Sequence, residues 1–336
     1  MKILVLGDPH FEVGNLPIME KVCKEIHSII DDRKPDLVVS LGDSLHTHER
    51  IHLRAQYFAK KFYLEVAAKV PIVVLIGNHD RENNQDFCTN IHPFYGLKNV
   101  TVVSTPLWDR ERNLIFVPYV PPGRYHEALQ LIDYTPGEGP QPKLIFSHQE
   151  FKGSVMGIKM SVKGDHWSKD YPLNISGHIH EQQTLPGVFY VGTFIQQTYA
   201  ESPDKGIYLF EAETATHEKI PITTAPRRIV VHMYPPDLEH IDEKVPEGYL
   251  VKVVLHLDAT ESKDIETNPL FKKLKEKANK VVKKIESNKA SIAENMVREM
   301  KLAPAIHSTL HVEDIVRAML KDDPISLSMF DMQIVG

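Results

Sequence analysis

Residues 70–76, VPIVVLI, form an apolar, β-branched run that should lie inside a sheet, yet Asn78, His79 and Asp80 follow it after a single glycine. An amide, an imidazole and a carboxylate are costly to bury unpaired, but together they can ligate a metal or move a proton. Four other strand-like runs end in the same way. Asp8 and His10 close VLGDPH, Asp43 and His46 close SLGDSLH, His148 closes IFSH, and His178 and His180 close ISGHIH. Taken singly these signals are weak. Asp-x-His after a strand is ordinarily a turn with a helix N-cap, and Gly-His-Ile-His reads equally well as a strand with two solvent-facing histidines. Gly-Asn-His-Asp is more specific, because Asn and Asp serve turns whereas an inserted His has no turn role. Recurrence at five strand ends is what a bland reading fails to explain.

In an α/β sheet the carboxyl ends of parallel strands line one crevice, so ends far apart in sequence converge in space. Leaving aside His46, His79 and Asp80, the clusters offer Asp8, Asp43, Asn78, His10, His148, His178 and His180. These are too many ligands for one ion with an open position, but they suit two ions sharing a carboxylate at about 3.5–4 Å, the spacing of two-metal phosphoryl-transfer sites. Mixed imidazole and carboxylate donors favour Mn²⁺, Fe²⁺ or Zn²⁺ over Mg²⁺ or Ca²⁺. The expected cofactor is therefore a pair of divalent ions, Mn²⁺ first, with Fe²⁺, Zn²⁺ or Mg²⁺ as alternatives. Glycine precedes Asp8, Asp43, Asn78 and His178, which permits sharp turns and close backbone approach.

The elements that must hold these ends follow from periodicity. Further β-branched runs are VTVVST, NLIFVPY, VFYVGT and GIYLFEAET. Ile18, Val22, Ile26, Ile29 and Ile30 recur at helical spacing after the first strand, and Phe58, Phe62, Val66 and Val70 after the second. This alternation predicts an α/β fold with a parallel sheet, made mixed by later hairpin-like strands. DYTPGEGPQP at 133–142 reads as a surface loop. After TTAPRR at 223–228 come two more strands, RIVVHMY and YLVKVVLHL. A helix over about 268–286 follows, with Leu270, Leu274, Ala278, Val281 and Ile285 on one face. Two shorter helical patterns, 291–301 and 311–321, end the chain. We divide it into a main domain, 1–225, a small α/β module, 226–287, and a helical tail, 288–336.

Composition narrows the class. Two cysteines, Cys23 and Cys88, give no disulfide framework and suit a reducing cytoplasm. No apolar run approaches the roughly 18 residues of a membrane span, and the six apolar residues before Asp8 are too few for a signal peptide. The net charge of −6 provides no general attraction for nucleic acid, although bound cations would reverse the sign locally.

The ordered blocks GDPH, GD, GNHD, H and GHIH resemble the calcineurin-like metallophosphoesterase superfamily across nearly all of residues 1–225. Within it, GDSLH is similar to the second block of SbcD-type nucleases, and the chain's length resembles that of phage-type subunits. YVGTFIQQTYAESPDKGIYLFE (190–211) resembles the segment after their last metal block, and RRIVVHMYP matches the entry to their DNA-capping module. Protein Ser/Thr phosphatases would carry Arg after the second block and GNHE in the third; this chain has neither. Ser147 stands where many relatives have Gly.

The resemblance implies a metallophosphoesterase β-sandwich of mixed sheets flanked by helices, with Asp8, His10, Asp43 and His180 on one ion. Asp43, Asn78, His148 and His178 would hold the second, with Asp43 as the bridge. His79 would protonate the leaving oxygen, oriented by the Asp80 carboxylate, and His46 would meet the scissile phosphate or the nucleotide end. Spacing alone does not separate His46 from His48 and His52. Arg227, Arg228, Lys272 and Lys273 are the DNA-backbone candidates, against the plainer reading of the lysine-rich 268–289 segment as a solvated face. The remaining histidines, His92, His166, His232 and His256 among them, are assigned to ordinary structure.

The function so implied is a DNA phosphodiesterase, the nuclease subunit of an SbcCD-like repair complex. Its partners would be DNA and an SbcC-like ABC-type ATPase whose coiled coil is gripped by the tail, with a homodimer as a further association. The alternatives are a small-molecule phosphatase or phosphodiesterase of the same superfamily, or a non-catalytic scaffold. Scaffolds lose ligands, and none is lost here.

Overall fold

The computed structural model describes residues 1–47, 50–89 and 91–285. It divides into two compact units, Met1–Pro226 and a second beginning at Arg227. In chain order the first unit contains β1 (Lys2–Leu6), α1 (Leu16–Arg33), β2 (Leu37–Ser40), α2 (Leu53–Ala67), β3 (Ile72–Leu75), β4 (Val100–Val103), β5 (Leu107–Asp109) and β6 (Leu114–Val117). There follow α3 (Tyr125–Gln130), β7 (Leu144–Ser147), the short pair β8 (Val155–Met156) and β9 (Lys159–Met160), β10 (Asn174–Ser176), β11 (Gln183–Leu185), β12 (Val188–Tyr190), β13 (Gly206–Glu211) and β14 (Thr216–Pro221).

The strands form two six-stranded mixed sheets, ordered β14-β13-β1-β2-β3-β4 and β11-β12-β10-β7-β6-β5. β1 to β4 run parallel, as do β6, β7, β10 and β12. Period-two alternation decides what each face covers. Ile3, Val5, Val39, Leu75, Phe116 and Phe146 pack between the sheets. Leu4, Leu6, Val38 and Val74 turn outward to Met19, Val22 and Ile26 of α1 and Phe62 and Val66 of α2. Ile115, Ile145 and Tyr190 turn the other way, against Tyr125 and Leu129 of α3. Central strands buried on both faces explain the continuous apolar runs in the sequence. Each such side chain is worth about 1.5–3 kcal/mol on burial, so the frame at the strand ends is rigid.

The second unit pairs β15 (Arg228–Met233), β16 (Leu250–Leu257) and β17 (Lys280–Ile285) in one parallel sheet. Here one expectation fails. The helix placed over 268–286 runs only from Pro269 to Lys277, and Ala278 is already extended. Residues 280–285 are instead a strand in register with β16, Val281 opposite Val253. Lys280-Val-Val-Lys-Lys-Ile satisfies both periods, and the open edge of β16 together with β-branched side chains settles it as a strand. Ile285, expected on the buried helical face, is 61% exposed. The two helical patterns expected beyond residue 290 lie outside the described residues.

Candidate metal centre

Five strand ends deliver the site. β1 runs into Gly7-Asp8, β2 into Gly42-Asp43, β3 into Gly77-Asn78, β7 into His148, and β10 into Gly177-His178. Gly42 sits at φ 110°, and a Cβ on it would lie 2.6 Å from His148 Nδ1. A Cβ on Gly177 would come within 2.5 Å of Asp8 Oδ1 and 3.0 Å of His148 Nδ1. These glycines leave the volume that the polar side chains fill. His10, Asp43 and His178 themselves adopt left-handed backbone angles, φ 46°, 49° and 77°. Such conformations cost of order 1–3 kcal/mol each and persist where the surroundings over-determine them, typically at functional sites.

All seven expected ligands converge. Asp8, His10 and His180 present ligand atoms within 4.8 Å of one another, as do Asp8, Asp43 and His148, and His10, Asp43 and His79. Asp43 faces two sides: Oδ2 lies 3.6 Å from His10 Nε2, and Oδ1 lies 3.5 Å from His148 Nε2. Asn78 Oδ1 is 3.0 Å from His148 Nε2 and 2.7 Å from His178 Nδ1. The Nε2 atoms of His10 and His180 approach to 3.0 Å.

The chemistry of these atoms fits a divalent cation. His148 Nδ1 donates to the Leu41 carbonyl at 2.7 Å, which turns Nε2 toward the oxygens of Asn78 and Asp43. His180 Nδ1 donates to Glu201 Oε1 at 3.2 Å, which aims its Nε2 lone pair at His10. Ring nitrogens and carboxylate oxygens thus converge, and Asp8 Oδ1 and His10 Nδ1 are buried without a hydrogen-bond partner. A divalent cation between them would satisfy both atoms.

The titration shifts follow from the same burial. Desolvation pushes Asp8 up to about 6, with the Asp43 charge adding to it. Desolvation also pulls His10 and His178 down to about 3, leaving neutral imidazoles able to ligate. Against desolvation, the carboxylates of Asp43 and Asp8 raise His148 to about 9, and the His148 charge in turn holds Asp43 well below the usual range.

The remaining expected residues divide. His79 Nδ1 lies 2.6 Å from the His46 carbonyl oxygen, and its backbone N–H donates to Asp43 Oδ1 at 2.8 Å. The His46 ring is near-parallel to that of His79 at 5.8 Å and lies 5.3 Å from that of His10. His52 instead caps α2, accepting from Arg54 N, and His48 lies outside the described residues. Asp80 corrects the expectation. It does not orient His79, because its carboxylate accepts from the backbone N–H groups of Ser44, Leu45 and Gly77 at 3.1, 3.1 and 3.0 Å. It is a positioning residue that ties the loop after β2 to the loop after β3. Of the DNA candidates, Lys273 pairs with Asp242 at 2.6 Å, and neighbouring Lys275, Lys277 and Lys283 are likewise held by Glu266 or Asp242. Arg227, Arg228 and Lys272 belong to the same unit.

Sequence reasoning missed a supporting layer. Glu201 holds His180 Nδ1 and is itself held by Lys205 at 3.1 Å, while Lys205 also donates to the His180 carbonyl at 2.7 Å. Against desolvation, the His180 hydrogen bond and the Lys205 charge draw Glu201 down to about 2. The Tyr119 ring lies 5.8 Å from that of His178 and 6.2 Å from that of His148, with the Arg81 guanidinium over it. The Glu-x3-Lys spacing before a strand was the available signal for the first pair. Glu201→Gln should weaken metal binding about 10–100-fold, the usual effect of losing a carboxylate that orients a ligand histidine. Chelator competition measures it, and unchanged affinity would remove Glu201 from the metal's support.

Residues 1–182 match the family described as Calcineurin-like phosphoesterase. The chain is 42% identical over 216 residues to the protein named "Putative phosphoesterase 244L" of Invertebrate iridescent virus 6, covering 62% of this chain and 75% of that one. It is 37% identical over 213 residues to "Putative phosphoesterase 078R" of Invertebrate iridescent virus 3, spanning only 61% of that protein's length and 62% of its own. Among solved structures it is similar to TT1561 of Thermus thermophilus, at 13% identity and a TM-score of 0.39, covering 66% of this chain and 99% of that one. No helix among the described residues is long and apolar enough to cross a membrane. The family match covers more than half of the chain and takes in the strand ends from Asp8 to His180, so the chain belongs to the calcineurin-like phosphoesterases, a family of metal-binding hydrolases that act on ester bonds.

Proposed function

We propose that this phosphoesterase is a two-metal DNA phosphodiesterase, the nuclease subunit of an SbcCD-like end-processing complex in a reducing cytoplasm. The observation that carries the reading is the division of Asp43, one oxygen toward His10 and the other toward His148, with His79 and His46 beside it. Asp8, His10, Asp43 and His180 would hold one divalent ion, and Asp43, Asn78, His148 and His178 the other, with Mn²⁺ suited to the donor set. When bound, such ions activate water and neutralise charge on the transferring phosphoryl group. His79 then supplies a proton to the leaving oxygen, Asp80 keeps the two loops in register, and Glu201 and Lys205 keep His180 in one orientation.

The test compares Mn²⁺-dependent digestion of end-labelled DNA with hydrolysis of p-nitrophenyl phosphate and its bis-ester. We expect DNA and the bis-ester to be cleaved and the monoester spared. A second reading, a small-molecule phosphatase or phosphodiesterase, is favoured by the pairing of Lys273, Lys275, Lys277 and Lys283 with acids, which leaves less free positive charge for a DNA backbone. Preference for the monoester with no digestion of DNA would establish it. The ATPase partner is assigned to residues 288–336, which lie outside the described residues. Their deletion should leave digestion of short single-stranded DNA intact and abolish co-purification with an SbcC-like ATPase; loss of both would place the tail in the core.

A further inference from the structure

The metal chemistry makes no use of a β-ribbon that leaves the second sheet after β7. β8 and β9 pair antiparallel through Val155 with Met160 and Met156 with Lys159. The ladder continues below them through Gly153 N to Ser161 O at 2.9 Å and Ser161 N to Ser154 O at 2.7 Å. Gly157, at φ 61°, opens the two-residue turn it shares with Ile158. The base is clamped. Phe151 and Asp165 are bridged and buried, and Asp165 accepts from Gly123 N, Tyr125 N and Gln149 Nε2. The tip is therefore carried by a braced ladder.

What the ribbon presents is apolar and basic. Ile158 is 101% exposed, Val162 73% and Met160 65%, with Val155 and Met156 also open to solvent. An apolar cluster left in water marks an interaction site more often than chance does. Between Lys152 and Gly164 the chain carries Lys152, Lys159 and Lys163 and no acid, although the whole protein is net −6. The ribbon is also rooted beside the metal centre. It departs just past His148, and its edge is fixed to Gln183, three residues beyond His180. Val155 N donates to Gln183 Oε1 at 2.8 Å, and Gln183 Nε2 to the Val155 carbonyl at 2.9 Å.

We propose that the ribbon inserts its Ile158 and Met160 tip between base pairs at a DNA end while its lysines hold the flanking phosphates, parting the strands next to the metal centre. This rests on the nucleic-acid reading given above. Ile and Met are among the side chains that wedge base steps apart, and three lysines with no acid between them suit phosphates. An anionic membrane offers the same pairing of charge and apolar interior. The root beside the metal centre favours DNA, because about six extended residues reach roughly 20 Å, far enough to meet nucleotides next to a phosphodiester held in the site.

The test uses the full chain in EDTA, so that no DNA is cut, with a duplex carrying 2-aminopurine at its terminal pair. The wild type should raise the fluorescence, and Ile158→Asp combined with Met160→Asp should reduce that rise at least about fivefold. Replacing Lys152, Lys159 and Lys163 by Gln should lower the slope of log affinity against log salt by about 2–3. Both variants should keep the wild-type melting temperature and metal-dependent hydrolysis of bis-p-nitrophenyl phosphate. Unchanged fluorescence and salt slope would overturn the ribbon's role while leaving the phosphodiesterase reading standing. A wild type that opens DNA ends yet never cuts DNA with metal present would overturn that reading and keep the ribbon. Ribbon-dependent sedimentation with phosphatidylserine vesicles, or a dimer dissolved by Ile158→Asp, with no fluorescence response in either case, would assign the tip to a membrane or a second copy and overturn the proposal.

Discussion

Asp43→Asn should reduce ester hydrolysis by roughly 10³-fold or more, about 4 kcal/mol of barrier, and lower bound metal while leaving the fold intact. Asp43 has each oxygen committed to a different side of the cluster, 3.6 Å from His10 and 3.5 Å from His148. Asn offers one oxygen and replaces the other with an amide that cannot ligate. The backbone at this position, φ 49°, is one that Asn tolerates better than most residues, and the N–H of His79 can still be accepted. Removing a buried carboxylate relieves its repulsion with Asp8 and gives up its attraction to His148, two effects that oppose each other. The folded state therefore loses little while the bridge is lost. Metal analysis, thermal melting and turnover of bis-p-nitrophenyl phosphate separate these effects. Two ions per chain with undiminished turnover would rule out Asp43 as the bridge.

Much of this site was legible because buried parallel strands write themselves as β-branched runs, and a run that stops at Gly followed by Asp, Asn or His announces a loop with polar work to do. Asp8, Asp43, Asn78 and His178 could be picked out for that reason, and His148, which follows Ser147, by its place at the end of such a run. What stayed hidden depends on contacts between distant segments. Nothing local says that β6, β7 and β10 leave the first sheet to form a second, since that is fixed by Phe116, Phe146 and Phe189 packing on Val5 and Val39. Thr216–Pro221 is too polar and exposed to read as a strand, and is one only because β13 offers it an edge. Residues 280–285 carry both periods at once, and the free edge of β16 decides between them. Asp80 misled for a related reason. Adjacency in sequence suggested that it faces His79, whereas the turn sends its carboxylate back to three loop amides.

His79→Gln is the sharpest test of how the site divides its labour. His79 lies within ligand range of His10 and Asp43, so proximity alone does not distinguish a ligand from a proton donor. Nδ1 donates to the His46 carbonyl at 2.6 Å, which holds the ring in place and leaves Nε2 to serve either as ligand or as proton donor, so the variant decides. Gln preserves length and hydrogen bonding but carries no transferable proton. Both ions should remain bound, and DNA cleavage should fall about 10²–10⁴-fold, the usual contribution of general acid catalysis. The loss should depend on the leaving group. A nucleoside alkoxide must be protonated as it departs, whereas p-nitrophenolate leaves without help, so hydrolysis of bis-p-nitrophenyl phosphate should fall far less. Equal losses on both substrates, accompanied by metal release, would instead make His79 a ligand. An imidazole placed between Asp43 and the loop carrying His46 then serves one of two distinct purposes, and the ratio of the two rates tells which.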